Sequence, residues 1–153
     1  MSYIKKKIDI CNVSFGINVT VVEPVNLYNC KIGDNCFIGP FVEIQNGVVI
    51  GNNCKIQSHS FICELVTIGN NCFISHGAMF INYLFKNGKL SDGNKSLWKK
   101  TKIGNNVIIG THATILPVNI VDNVVVGAGA VVTKNITKPG IYAGNPAVKI
   151  RDI

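Results

Sequence analysis

Acidic residues are scarce in this 153-residue chain: eight Asp and Glu stand against fifteen Lys and Arg, leaving a formal charge of +7. A surplus of cations suits acidic, phosphate-bearing partners. The lysines are spread out, however, and no nucleic-acid-binding motif accompanies them, so nucleic acid is not the expected partner. No apolar run approaches the roughly 18 residues that a membrane span requires. The start of the chain, MSYIKKKIDI, lacks the apolar stretch of a secretory signal. A cytoplasmic address is therefore the expectation, with no membrane partner. The six cysteines form no CxxC pair, which disfavours the common zinc folds and, without secretion, a disulfide framework. With 47% apolar and only 15% charged residues, the composition excludes a disordered chain and fits one packed domain over 1–153.

The 3.6-residue period of an amphipathic helix is missing as well, and so is the two-residue period of an isolated strand. In their place an aliphatic residue returns every six positions: Ile32, Ile38, Ile44, Ile50, Ile56, Ile62, Ile68 and Ile74, then Phe80. The next residue is often glycine (Gly33, Gly39, Gly51, Gly69), and the fourth after the aliphatic is small or apolar, as at Cys36, Val42, Val48, Cys54, Ser60, Val66, Cys72 and Ala78. Apolar pairs separated by Gly-Asn-Asn or Gly-Asp-Asn read as short strand, turn, short strand. Such units bury their apolar faces only by stacking. Three hexads make one triangular coil of 18 residues, and successive coils lie one strand spacing apart, about 4.8 Å. Residues 18 apart become vertical neighbours, and the expected fold class is all-β, a parallel β-helix.

That spacing settles the cysteines. Cys36, Cys54 and Cys72 are 18 apart and fall in one inward column as small apolar core residues, with Cys30 in the same slot one hexad earlier. Cys63 falls outside and is expected to be the reactive one. The register breaks after Asn82 and returns at Ile103, Ile109 and Ile115, so Tyr83 to Thr101 (83–101) is expected to leave the coil as an excursion loop. A loop of that length in a tight solenoid usually has a function. The register slips again between Ile115 and Ile120, then Val126 and Val132 complete the body before a short C-terminal tail. The irregular stretch before Asn26 is expected to cap the open end of the coil.

Ile-Gly hexads, the excursion loop, and the segments GAGAVVTKNI and AGNPAVKI together resemble the hexapeptide acyltransferase family from about Cys30 to Ile150. The resemblance implies a left-handed β-helix, which the period alone does not, and a homotrimer with active sites between adjacent subunits. Within the family, CKIQSHSFICELVTIGNNCFISHGAMFIN looks like the enzymes that acetylate 3-amino groups of nucleotide-linked sugars. It implies acetyl-CoA as co-substrate, no metal, and a nucleotide-linked amino sugar as partner, best matched by a dTDP-3-amino-3,6-dideoxyhexose of surface polysaccharide synthesis; the alternatives are UDP-2-acetamido-3-amino-2,3-dideoxyglucuronate, a 4-amino nucleotide sugar, or the antibiotic or serine acceptors of other hexapeptide acetyltransferases. Those relatives often carry Asp after the Asn of this motif; here the position is Tyr83.

Acetyl transfer to an amine needs a neutral nitrogen beside the thioester, donors for the oxyanion, and a route for the departing proton. His59, His76 and His112 are the candidates for a base, and His59 and His76 fall on one edge of the prism in adjacent coils. By the same count Glu64 lies between Asn46 and Asn82, in a polar column beside the loop. The resemblance implies that Asn82 faces the reacting amine, with His76, His59 and Glu64 as substrate contacts or auxiliary acid and base groups. It also implies that Gly110, Ala128 and Gly129 line the path of the pantetheine arm, with Lys134, Lys149 and Arg151 meeting CoA phosphates. Trp98 and Tyr83 either stack on a nucleobase or anchor the loop on the body. A γ-type carbonic anhydrase, built on the same fold, needs three zinc-binding histidines, and the loop spoils the register between His76 and His112.

Overall fold

The computed structural model describes residues 3–5, 9–85 and 88–153. Short parallel strands stack into a three-sided prism of seven coils. The first face carries Ile10–Cys11, Asn26–Tyr28, Glu43–Ile44, Phe61–Ile62, Met79–Phe80, Thr114–Ile115 and Val131–Val132. A six-stranded second face runs from Ser14–Phe15 to Asn119–Ile120, and an eight-stranded third face runs from Thr20–Val21 to Val148–Arg151. Vertical partners are 18 residues apart where the hexads are unbroken: Ile32 pairs with Ile50 and Ile50 with Ile68 on the second face, Ile38 with Ile56 and Ile56 with Ile74 on the third. These isoleucines point inward and are all but inaccessible. Burying each contributes roughly 1.5–3 kcal/mol relative to exposure.

The corners explain the Gly-Asn-Asn code. At the second corner, between the second and third faces, Asn35, Asn53, Asn71, Asn106 and Asn123 all have positive φ, between 54° and 58°. Asparagine tolerates this left-handed conformation better than most L-residues. Their amides bond upward, Asn53 to Asn71 at 3.1 Å, Asn71 to Asn106 at 3.2 Å and Asn106 to Asn123 at 3.1 Å. The preceding Asx residues form a second ladder in which each backbone N–H donates to the side-chain oxygen of the next coil: Asp34 to Asn52, Asn52 to Asn70, Asn70 to Asn105 and Asn105 to Asp122, at 2.8–2.9 Å. The Asn105 backbone N–H, followed by its side-chain amide, holds the Asp122 carboxyl below its usual range. Glycine is required before the ladder: a Cβ on Gly51 would lie 2.5 Å from Asn70 Oδ1.

The cysteine column is as expected. Cys36, Cys54 and Cys72 are buried, and their thiols donate to the carbonyls of Gly51, Gly69 and Gly104 at 3.1–3.2 Å. Three expectations need correction. Residues 9–25 do not form an irregular cap; they complete a coil, with Ile10 paired to Leu27, Ser14 to Lys31 and Thr20 to Phe37. This coil is 17 residues long, which breaks the count of six; residues 1, 2 and 6–8 of the expected cap lie outside the described residues. The loop ends one residue early, because Thr101 is buried and already pairs with Val66; residues 86 and 87 of the loop are likewise outside the described set.

Cys63 is not on the outside: it is 3% exposed, and burial pushes its thiol up to about 12. Its slot holds glycine in many other hexads, whereas here Gln45, Ile81, Phe85 and Trp98 share a wall with it. Cys11, at the first coil, is the exposed cysteine. Native protein at about pH 8 should therefore give one fast-reacting thiol, Cys11, with a small thiol reagent, and the remainder only after denaturation. Fast modification of Cys63, read by peptide mass, would contradict this packing.

Candidate active site

The first corner joins the first face to the second, and the excursion loop leaves from it. Met79 on one side of the loop pairs with Thr114, and Val66 pairs with Thr101, each 35 residues apart instead of 18, an insertion of 17 residues. Asp92 and Gly93 turn the loop with positive φ, and Asn94 caps a short 3-10 turn at Lys95–Leu97 by accepting from the Ser96 N–H at 3.1 Å. Asn82 is held from two sides: its Nδ2 donates to the Glu64 carbonyl at 3.2 Å, and its own carbonyl accepts from the Lys99 N–H at 2.8 Å. One Nδ2 hydrogen is spent on Glu64, which fixes the amide plane and leaves the other hydrogen as a donor and Oδ1 as an acceptor. Asn82, Tyr83 and Trp98 line a cavity of about 350 Å³ together with Gln45, Phe61, Cys63, Ile81 and Phe85. That is within the usual range for small-molecule sites, roughly 300–1,000 Å³.

Three of the loop-side candidates thus come together, and Glu64 adjoins them. Its carboxylate does not stand ready as a base, because both oxygens bond the Lys95 ammonium, at 2.9 and 2.7 Å. The Tyr83 hydroxyl donates to the Lys89 carbonyl at 2.6 Å, and its ring meets Phe85 edge-on, so Tyr83 braces the loop.

The histidines occupy the third corner, between the third and first faces. Phe41, His59, Gly77, His112 and Gly129 succeed one another coil by coil, all with positive φ. The backbone ladder confirms the order: His59 donates to Pro40, Gly77 to Ser58, His112 to His76 and Gly129 to Thr111, at 2.8–3.2 Å. Phe41 and His59 stack with ring centroids 4.8 Å apart. His76 sits one residue before this column, exposed, with Nδ1 3.5 Å from Ser75 Oγ, which in turn meets Thr111 Oγ1 at 2.7 Å. His59 and His76 share an edge as expected, and His112 joins them, a placement that hexad counting across the loop does not reach.

The loop-side and histidine-side candidates are therefore not brought together within one copy: the first face, with its strand Met79–Phe80, separates them. The expected cofactor residues divide similarly. Gly110, Ala128 and Gly129 end the third corner, where a Cβ on Gly110 would come 2.5 Å from the Ala128 nitrogen while the space over Gly129 is open. Lys134 is exposed on the first corner. Lys149 and Arg151 lie on the last strand, Val148–Arg151, which runs antiparallel to Gly140–Ala143. Lys149 Nζ bonds Asp152 at 2.6 Å, which raises the lysine and lowers the aspartate from their usual values. A groove of about 560 Å³ at the second corner contains none of the predicted residues, and Asp122 and Asn123 there already accept from the ladder. Sequence reading missed Lys95, Gln45 and Phe61; the 18-residue spacing of Gln45 and Cys63 was the signal for the former.

Gly77 is the clearest test of the histidine corner. Its φ is +65°, and a Cβ there would lie 2.7 Å from the His112 ring. Gly77→Ala should cost about 1–2 kcal/mol from the left-handed backbone alone, read by urea unfolding, and should displace the His112 ring. An unchanged unfolding midpoint would refute the packing of His112 over Gly77.

Two stretches match models of the repeat: residues 29–64 match "Bacterial transferase hexapeptide (six repeats)" and residues 100–134 match "Hexapeptide repeat of succinyl-transferase". The chain is similar to the galactoside O-acetyltransferase of Escherichia coli K12, 54% identical over 52 residues, which cover 33% of this chain and 26% of that enzyme. It is also similar to the bifunctional protein GlmU of Campylobacter concisus, 38% identical over 109 residues, 71% of this chain and 22% of that protein. The chain thus spans about a quarter of the length of these curated relatives. Among solved structures, a mutant of AntD, an N-acyltransferase from Bacillus cereus, in complex with dTDP and coenzyme A, superposes with a TM-score of 0.82 at 27% identity, over 91% of this chain and 83% of that one. The acetyltransferase domain of PglB from Neisseria gonorrhoeae, at 22% identity and a TM-score of 0.68, shares the fold. The chain thus carries the hexapeptide repeat of bacterial transferases in two stretches, and its coils are similar to those of solved hexapeptide acyltransferases.

Proposed function

We propose that this protein transfers an acetyl group from acetyl-CoA to the 3-amino group of a nucleotide-linked sugar, with a dTDP-3-amino-3,6-dideoxyhexose as the best-matched acceptor. The observation that carries this reading is the likeness, over nearly the whole chain, to AntD, an N-acyltransferase whose structures hold dTDP with coenzyme A or with 3-hydroxybutyryl-CoA. The net charge of +7 supports a phosphorylated acceptor and cofactor. The cavity at Asn82 supports an acceptor seated against the loop, with Trp98 and Tyr83 in its wall.

In the proposed reaction the neutral amine attacks the thioester carbonyl, the carbon–sulfur bond breaks, and the proton lost from nitrogen passes to the departing CoA sulfur. Asn82 is suited to orient the amine. The bond from its Nδ2 to Glu64 fixes the amide, and Oδ1, its acceptor atom, is then placed to accept an N–H from the acceptor, which aims the nitrogen lone pair. Glu64, neutralised by Lys95, acts in holding the loop more than as a base. His59 and His76 serve as substrate contacts or auxiliary acid and base groups. Because they stand on another corner from Asn82, their contribution requires a neighbouring copy, in keeping with a homotrimer whose sites lie between subunits. Gly110, Ala128 and Gly129 line the proposed pantetheine path, and Lys134 and Arg151, which form no ion pair among the described residues, are proposed to meet CoA phosphates; Lys149 would have to exchange Asp152 for one.

A sugar hydroxyl as acceptor is the second reading, favoured by the 54% identity to galactoside O-acetyltransferase over 52 residues. Purified protein with acetyl-CoA should release thiol when offered dTDP-3-amino-3,6-dideoxyglucose or its galacto epimer, with one acetyl gained by the product. UDP-2-acetamido-3-amino-2,3-dideoxyglucuronate, 4-amino nucleotide sugars and galactosides are the comparison acceptors. Asn82→Ala should lower kcat/KM roughly a hundredfold. Silence on every amino sugar with turnover of a galactoside would replace the first reading by the second.

A further inference from the structure

We infer that Lys95 is a positioning residue, the clasp that closes the excursion loop on the Asn82 cavity; the inference rests on the proposed reading of that cavity as the acceptor site. Lys95 lies on the loop and meets two groups at once. Its ammonium bonds both carboxylate oxygens of Glu64, on the body of the prism, at 2.9 and 2.7 Å. It also lies 5.0 Å from the centroid of the Trp98 ring, within reach of a cation–π contact. Glu64 is the more enclosed partner, its side chain 14% exposed against 59% for Lys95. A carboxylate so placed is costly to leave unpaired, which gives the contact more weight than an ordinary surface ion pair.

The two residues that Lys95 connects are both next to the reacting position. Glu64 supplies the carbonyl that holds the Asn82 amide, and Trp98 is part of the wall of the same cavity. Four residues beyond Lys95, the Lys99 N–H holds the Asn82 carbonyl at 2.8 Å. The remaining ties of Trp98 and Tyr83 stay within the loop, Trp98 Nε1 to Ser91 Oγ at 3.3 Å and Tyr83 to Lys89. Among the described residues, Lys95 is thus the loop side chain that pairs with the body by charge, and beside the Lys99–Asn82 backbone bond it adds a second tie that steadies Trp98 over the cavity. The acceptor, entering between Trp98 and Asn82, depends on that tie, whereas Gly110, Ala128 and Gly129 of the proposed donor path lie at the third corner, away from Lys95.

Trp98 is the only tryptophan in the chain, so its fluorescence reports the clasp without any substrate. Lys95→Met should make Trp98 more accessible to acrylamide and speed tryptic cleavage at other loop lysines such as Lys89 and Lys99, while Lys95→Arg, whose guanidinium can bond both oxygens of the Glu64 carboxylate, should leave both near wild type. In the acetyltransferase assay Lys95→Met should raise KM for the acceptor roughly tenfold, with KM for acetyl-CoA changed less than about twofold. Unchanged quenching and cleavage in Lys95→Met would overturn the clasp, as would a Lys95→Arg variant that behaves like Lys95→Met. If the quenching and cleavage respond but none of the amino sugars is a substrate, the clasp stands and the acceptor assignment falls.

Discussion

Each coil of this protein must lie on the one below at a single strand spacing, about 4.8 Å, and almost every other feature follows from that constraint. At such a distance a column of residues is a physical unit. An isoleucine over an isoleucine closes the core, as Ile32, Ile50 and Ile68 do. At the second corner a backbone that turns sharply brings carbonyl oxygens within 2.7 Å of where a Cβ would stand, as Gly69 O does over Gly51, so from Gly33 to Gly104 the slot is filled by glycine. The adjoining left-handed position falls to asparagine, whose amide then finds its counterpart on the next coil. A substitution in one coil is felt by the coils on either side, which is why the sequence is so regular.

The regular part was legible for the same reason. The six-residue recurrence, the 18-residue column of Cys36, Cys54 and Cys72, and the shared edge of His59 and His76 are consequences of stacking, and each can be counted from the residues alone. Counting failed where a coil has another length. The first coil pairs Ile10 with Leu27, 17 apart, so its aliphatics fall out of step with the later hexads and read as irregular. Beyond the loop, Phe73 pairs with Ile108, and this new offset sets His112 over Gly77. Nothing in the hexads fixes how many residues an excursion contains, so that adjacency cannot be counted from the period. Cys63 departs from its expected exposure for a different reason: its outward slot is covered by the loop and by large neighbours, a local enclosure that no period encodes.

The candidate chemistry sits where the stacking rule is relaxed. The first corner releases the loop and keeps three polar groups near one another: Asn82, Glu64 and, from the loop, Lys95. The third corner keeps the rule but fills its left-handed slots with His59 and His112, residues that enter this conformation less readily than glycine. Ordinary stacking would have been satisfied by the asparagine ladder found at the second corner. That two of the three corners depart from the ladder, and that these two hold Asn82 and the histidines, separates them from the corner whose polar groups are spent on one another.

This separation bears on how one chain forms a complete site. Along the sequence His76 and Asn82 are six residues apart, but the strand Met79–Phe80 runs between them and carries them to opposite ends of the first face. No rotamer change carries an imidazole across a face whose backbone is fixed by hydrogen bonds to the coils above and below. A reaction that uses both groups on one acceptor must bring the third corner of one copy to the first corner of another, whereas a reaction that uses Asn82 alone has no such need. In the proposed mechanism the amine proton leaves with the CoA sulfur, so the histidines are not indispensable to the proton balance. On the proposed reading a second copy would act in binding: the cavity beside Asn82, at about 350 Å³, suits one moiety of the proposed nucleotide sugar and leaves the remainder of the acceptor and the acyl donor to other walls.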